Sequence, residues 1–352
     1  MKAVFLAGQA PGGKRTPLEG ELPLSTPYVV QFFPIYACNF ACRYCHFSIE
    51  KSKRCFVTDR VSMDMDLFQK CVGDMTAFPE KIRTLRFVGM GEPLLHRDIG
   101  RMVAYAKERG VASRVELLTN GSLLTNETAD RLIAAGLDRL VVSLQGTGAE
   151  KYREVSGIDL DFPRFVDQLR YCYEHRKNTH MYLKIVDIAL NGEDDRKRYL
   201  EIFGDICDSI GVETAVPIYP GVDCNTELSR QDARTQFGTT IVRSKICPQP
   251  FFTLQINPDG KVVGCYSVTY PEFLGEADRE NIVDIWCGEK YNNFRRRMLA
   301  GRETVCDVCR SCGISLYRQQ PEDIILNTDG SLCDAYAGTV RRTRQGGGIG
   351  YG

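Results

Sequence analysis

From Tyr28 onward the chain alternates short apolar runs with longer amphipathic stretches, about six times over. The apolar runs, at 28–35, 84–88, 114–119, 139–145, 181–188 and 213–218, have the length of strands. The stretches between them, at 63–75, 98–109, 125–135, 162–174 and 194–210, predict helices. Thr125 is placed to cap the third, with Glu127 in its first turn and Gly136 just beyond its end. In the fifth, Tyr199, Ile202, Phe203, Ile206 and Ile210 recur at steps of three and four, as on a helix packed against a sheet. This alternation predicts an α/β fold of parallel strands joined by helical crossovers.

Both ends of the chain depart from the pattern. Residues 1–27 hold Pro11-Gly12-Gly13, Pro17, Pro23 and Pro27, breakers that predict an extended lead-in. The first domain is expected over 28–222, closing near Tyr219-Pro220-Gly221, with a polar linker at 223–245. A smaller region at 246–340 is short on helical pattern yet holds seven of the fifteen cysteines, so its stability is expected to come more from metal than from core. The basic, glycine-rich tail at 341–352 is expected to be flexible.

Composition narrows the class. Apolar residues at 43% and charged residues at 26% belong to a globular protein, and 45 basic side chains balance 45 acidic ones. That balance gives no reason to expect a nucleic-acid or membrane partner. The apolar run 3–7 is too short for a signal-peptide core, and no run approaches the ~20 residues of a membrane span. A cytoplasmic protein is expected, and an odd cysteine count argues against a disulfide framework.

Chemistry concentrates at Cys38-Asn-Phe-Ala-Cys42-Arg-Tyr-Cys45, three thiols within eight residues just past the first strand. A cubane of four irons and four sulfurs closes with four ligands, so three thiolates leave one iron open. Zinc in a structural site wants four closed ligands, and His46, adjacent to Cys45, is poorly placed to supply the fourth. The spacing, with Tyr44 before the last cysteine, resembles the signature of the radical S-adenosylmethionine (radical SAM) superfamily. The resemblance implies an open, partial (β/α)6 barrel and a 4Fe-4S cluster whose vacant iron takes the amine and carboxylate of S-adenosyl-L-methionine. It also implies reductive cleavage of that sulfonium to a 5′-deoxyadenosyl radical, the cofactor supplying the chemistry and the protein the orientation.

Other positions follow from the same resemblance. Gly89-Met90-Gly91-Glu92-Pro93 follows the second strand, where glycines admit close backbone approach and a carboxylate suits a cationic amine. Gly91, Glu92 and Pro93 match the family's loop against the methionyl amine. Asn120 and Ser143 match polar groups at strand ends that contact the ribose and carboxylate, and Tyr44 matches an aromatic lying along the adenine. Lys184 puts a charge in the fifth strand, where burial without a partner is costly. It either reaches the cofactor carboxylate or snorkels to the barrel mouth. His46 and Cys55 are left without a role, while Cys71, Cys172, Cys207, Cys224 and Cys287 read mostly as small core residues.

In the C-terminal region a turn at Asn257-Pro-Asp-Gly260 is expected to bring Cys247 and Cys265 onto neighbouring strands, and Cys306, Cys309 and Cys312 form a Cys-x-x-Cys-x-x-Cys loop. Cys-x-x-Cys pairs also occur in zinc ribbons. The order resembles the SPASM or twitch extension of radical SAM enzymes, a small cysteine-rich domain that carries auxiliary iron–sulfur clusters. The SPASM run of Cys-x2-Cys-x5-Cys-x3-Cys is compressed here, which implies at least one auxiliary 4Fe-4S cluster on Cys247, Cys265, Cys306 and Cys309. Cys312 and Cys333 then serve as substitutes or as ligands of a second, incomplete cluster.

The resemblance implies a radical SAM enzyme of oxidoreductase or epimerase type. The resemblance implies a peptide substrate first, although 27 residues before the first strand are few for a leader-peptide-binding domain. A sugar or aminocyclitol is the alternative small-molecule substrate. An electron donor such as flavodoxin or ferredoxin is expected. A thiol such as Cys224 returning hydrogen would give epimerisation. The reading from another class is a non-catalytic iron–sulfur or zinc module, which has no use for the Gly91-Glu92 loop.

Overall fold

A computed structural model describes residues 2–6, 15–54, 59–218, 222, 234–266 and 270–337. Among them ten strands form one sheet in the order β1-β7-β6-β5-β4-β3-β2-β8-β9-β10. Six consecutive neighbours, all parallel, build the barrel: β2 (Val29–Phe32), β3 (Thr84–Phe87), β4 (Val115–Thr119), β5 (Arg139–Leu144), β6 (His180–Val186) and β7 (Ser209–Glu213). A short β1 (Val4–Phe5) from the lead-in pairs in parallel with β7, so that segment is not wholly irregular.

The crossovers are α1 (Met65–Met75), α2 (Ile99–Arg109), α3 (Asn126–Ala134), α4 (Ala149–Ser156), α5 (Phe162–His175) and α6 (Glu193–Phe203). Thr125 caps α3 by accepting from Thr128 N. Phe68 and Val72 of α1, Met102 of α2, Leu132 of α3, Leu169 of α5 and Phe203 of α6 are buried in one core with Phe32, Phe87, Leu117, Val142 and Ile185 of the strands. Alternate strand residues face the other way. There Gln31, Arg86, Glu116 and Arg139 stand opposite one another in the register, a polar belt across the barrel interior.

Two sequence expectations shift. The last barrel helix ends at Phe203 rather than 210, and its strand is Ser209–Glu213 rather than 213–218. Ile206 and Ile210 are buried, but from a turn and a strand, so their spacing of four mimics a helix by coincidence. Asp208 fixes the turn by accepting from Met181 N and from the Arg176 guanidinium. Residues 214–218 follow the strand without regular structure. The second shift is α4, which the sequence pattern did not reveal.

The C-terminal region continues the same sheet. β8 (Thr253–Ile256) pairs in parallel with β2, and β9 (Lys261–Val263) and β10 (Gly275–Glu276) follow antiparallel. The Asn257–Gly260 turn forms as expected, with Gly260 N donating to Asn257 O. Contrary to the expectation of little helix, α7 (Ile282–Cys287) and α8 (Glu289–Leu299) pack here. Arg295 of α8 is fully buried between the rings of Trp286 and Tyr291, its guanidinium donating to the Pro250 and Trp286 carbonyls. An arginine at a core position breaks the apolar period that would otherwise announce the helix. Cys71, Cys172, Cys207 and Cys287 are buried as expected, whereas Cys55, Cys224, the 219–221 boundary and the 341–352 tail lie outside the described residues.

Candidate active site

The three-cysteine loop leaves the C-terminal end of β2 and is held from outside by α4. Ala41 N donates to Ser156 O and Arg43 N to Val155 O, so carbonyls that the helix end leaves without partners fasten the loop. Phe40 packs edge-on against the buried Tyr152 of the same helix. Cys38, Cys42 and Cys45 all line one open cavity at the strand ends. Burial pushes the Cys38 thiol up to about 12 and raises Cys42 and Cys45 as well. Burial thus disfavours the thiolates on their own, and a bound cation would draw off their protons.

The loop after β3 closes against the same segment. Glu92 N donates to Ala37 O, and a Cβ on Gly91 would stand 2.0 Å from Ile35 O, so only glycine admits this approach. The Glu92 carboxylate, 2% exposed, accepts from Thr119 Oγ1 at 2.6 Å, Asn120 N at 2.7 Å and Leu94 N at 2.9 Å. Burial nevertheless raises it to about 6, against those three donors. Among the described residues no basic side chain forms an ion pair with it. Pro93 sits behind Glu92 as the first residue of a helical turn, where its ring suits the position and leaves the cavity wall to its neighbour.

Tyr44, Gly91, Asn120, Ser143 and Lys184 line this cavity too. Tyr44 donates its hydroxyl to Gln145 Oε1 at the end of β5. The Asn120 amide donates to Asn39 Oδ1 in the cysteine loop and accepts from Ser122. Lys184 does not snorkel: it is buried and donates to Glu213 Oε2 at 2.7 Å. Burial lowers the Lys184 ammonium and the Glu213 carboxylate opposes that.

The pair belongs to a wall that sequence reasoning missed. Gln236 donates to Glu213 and accepts from Arg318, whose guanidinium lies over the Tyr266 ring at 4.3 Å. Glu213 carried a signal, a second charge inside a strand; Tyr266 carried only its place beside Cys265. His46 is buried behind the loop, its imidazole lowered to about 4 by burial and then by Arg54.

A second thiol group lies in the C-terminal region. Cys247, Cys265, Cys309 and Cys312 line a narrow cavity with Phe294, Met298 and Arg302. Cys306 adjoins it through its contact with Cys309. Cys333 does not line this cavity and accepts from Asn327 Nδ2 at 3.7 Å, so five thiols gather at it and not six. Among the described residues no three His, Cys, Asp or Glu side chains converge on a single-ion position, and no helix is long and apolar enough to cross a membrane.

The arrangement fits the cofactors expected of it. Three buried thiols flank an open cavity, and beside them stands a buried carboxylate with no cation of its own. Family models match at 32–201, the radical SAM superfamily, and at 247–313, the SPASM iron–sulfur cluster-binding domain. The PqqA peptide cyclase of Rhodopseudomonas palustris is 24% identical over 81% of this chain and 79% of that protein. The S-adenosyl-L-methionine-dependent 2-deoxy-scyllo-inosamine dehydrogenase of Niallia circulans is 23% identical over 82% of this chain and 94% of that protein. In fold the chain is similar to Streptococcus suis SuiB bound to its precursor peptide SuiA, with a TM-score of 0.61 at 15% identity over 90% of this chain and 78% of that one. The radical SAM domain calls for a 4Fe-4S cluster and S-adenosylmethionine, and the SPASM domain for auxiliary iron–sulfur clusters. With both domains present in that order, the chain belongs to the radical SAM superfamily and carries a SPASM extension.

Proposed function

We propose that the chain abstracts hydrogen from an unactivated C–H bond of a peptide, leading to oxidation, cross-linking or epimerisation. The observation that carries this reading is Glu92, a buried carboxylate that lacks a cation and stands beside three thiols on one cavity. A methionyl ammonium supplies the missing charge. When bound, the cluster and S-adenosylmethionine supply a 5′-deoxyadenosyl radical. The protein's part is to position and to exclude water. Cys38, Cys42 and Cys45 hold the cluster; Glu92 and the Gly91 backbone hold the amine end; Tyr44, Asn120 and Ser143 line the remainder. Lys184 is engaged by Glu213, so its part is to keep the wall in place rather than to meet the cofactor alone.

Four of the five gathered C-terminal thiols would hold an auxiliary cluster, which would supply one-electron redox chemistry beside the substrate. A small flavodoxin or ferredoxin supplies electrons to the first cluster. The peptide reading draws on the relative named as a peptide cyclase and on the fold shared with a peptide-bound enzyme. An aminocyclitol is the second reading, favoured by the match to nearly the whole length of the inosamine dehydrogenase.

The test is anaerobic reconstitution, iron counting, and assay for 5′-deoxyadenosine with dithionite and S-adenosylmethionine. About eight irons with adenosyl product is the expected outcome. Zinc in place of iron, or full turnover by Cys42→Ala, overturns the reading. Peptide and amino-sugar libraries, followed by mass spectrometry, separate the two substrates.

A further inference from the structure

A four-iron cubane has four ligand places, and five thiols gather in the C-terminal region to fill them. One thiol is therefore left over, and the packing of 302–313 decides which. Cys247, Cys265, Cys309 and Cys312 border the narrow cavity, whereas Cys306 does not. Cys312 is fastened there by its neighbours. The Arg302 guanidinium donates to Cys312 O at 3.1 Å and to Ser315 Oγ at 2.9 Å, while Arg302 N donates to Lys245 O, two residues before Cys247. One arginine thus ties the end of the three-cysteine run to the segment that delivers Cys247.

A second constraint acts from the barrel side. A Cβ on Gly313 would stand 2.7 Å from Pro217 O, so only glycine lets the chain after Cys312 lie this close to the segment leaving β7. Cys312 packs there against the group of Val216, Ile218 and Ile314, and the first two of these line the cofactor cavity. Of the C-terminal thiols, Cys312 acts most strongly on both Cys247 and Cys265, and Cys306 acts least on Cys265. Cys306 adjoins the group through Cys309, at a half-exposed position next to the exposed Asp307. A cluster on Cys306 and Cys309 would leave the Cys312 thiol in the cavity with no iron to bind.

We propose that Cys247, Cys265, Cys309 and Cys312 ligate the auxiliary cluster, and that Cys306 stays a free thiol beside it, open to soft electrophiles. The ligating pair of the Cys-x-x-Cys-x-x-Cys run is then its second and third cysteines, not the first and second that the family resemblance implies. Four thiolates close the cubane, so no iron is vacant for substrate. Through Cys312 the cluster is joined to the wall of the cofactor cavity. This rests on the reading of the C-terminal thiols given above and names the members of that ligand set.

Anaerobic alkylation of the reconstituted holoprotein with iodoacetamide, read by peptide mass spectrometry, tests it. The reagent forms an S–C bond and releases iodide and the thiol proton. Cys306 is expected to be alkylated at least about tenfold faster than Cys312, and stripping the iron with a chelator brings Cys312 into reaction. Iron counting gives an independent readout: Cys306→Ala should keep about eight irons and Cys312→Ala about four. If Cys312→Ala disturbs folding, the labelling of the wild-type holoprotein and the iron content of Cys306→Ala keep the test open. Cys306 protected in the holoprotein, Cys312 labelled as fast as Cys306, or Cys306→Ala reduced to about four irons overturns the proposal. Protein that forms 5′-deoxyadenosine with Cys306 protected refutes this inference alone. Zinc at the C-terminal thiols refutes the auxiliary-cluster reading on which it rests.

Discussion

Replacing Glu92 by Gln isolates the charge that the site holds in reserve. Burial raises this carboxyl from 4.5 to about 6, so its ionised form at neutral pH costs the empty fold about 2 kcal/mol. The sign follows from a raised value: stability from the neutral form is full below pH 4.5 and is lost as pH rises through 6. A bound ammonium that restores the ordinary value recovers that energy. Cofactor affinity is then about fifteenfold weaker at pH 4.5 than at pH 7, and most of the change falls between 4.5 and 6. Glutamine fits the same space and accepts from Leu94 N and Thr119 Oγ1, but turns an amide toward Asn120 N, a mismatch of about 1–3 kcal/mol that offsets the relief of burying no charge. Glu92→Gln is therefore expected to melt within a few degrees of wild type. It should bind S-adenosylmethionine ten- to a hundredfold more weakly at pH 7, with no pH dependence from this group. Calorimetry of reconstituted protein from pH 5 to 7.5 reads both. Wild-type affinity that stays flat across that range, or a variant within twofold of wild type at pH 7, refutes the reasoning.

Other residues give sharper single outcomes. Glu116 is fully buried; burial raises it, but Arg86, Arg139 and Arg114 outweigh that and hold it at about 2. Its contribution of about 3 kcal/mol is present above pH 4.5 and lost toward pH 2, so Glu116→Gln should lower stability at neutral pH and flatten the acid-unfolding curve there. Lys184→Met strands a buried Glu213 and is expected to cost roughly 3–5 kcal/mol by denaturant titration, most of it recovered in Lys184→Met with Glu213→Leu. Cys309→Ser should reduce iron content by up to about four atoms, whereas Cys333→Ser should leave it unchanged on reconstitution.

The elements that sequence pattern revealed are those whose inner and outer faces differ most. Five barrel strands and four of the helices lie where apolar periodicity put them, because their outward residues form one core against the crossovers. The sixth strand was displaced because Ile206 and Ile210 sit at helical spacing in a turn and a strand. α4 and α8 were hidden by polar or charged residues at core positions, Arg295 most plainly. The cysteine loop, Glu92, Asn120, Ser143 and Lys184 were legible because their motifs are local, and the fold brings them to one cavity. Gln236 and Arg318 come from stretches with no motif and meet the site only through tertiary packing, as does the separation of Cys333 from the other C-terminal thiols.

Strand β8 lies directly against β2, the strand that feeds the three-cysteine loop. The C-terminal region is thus stitched to the barrel by main-chain hydrogen bonds and cannot swing as a hinged cap. The gap an electron would cross between the two thiol groups is accordingly set by a rigid ruler rather than by a diffusing module. A shortened polypeptide ending before residue 246 would bare the flank of β2, an invitation to stick to other chains, and should be recovered as aggregate rather than as a working half-enzyme.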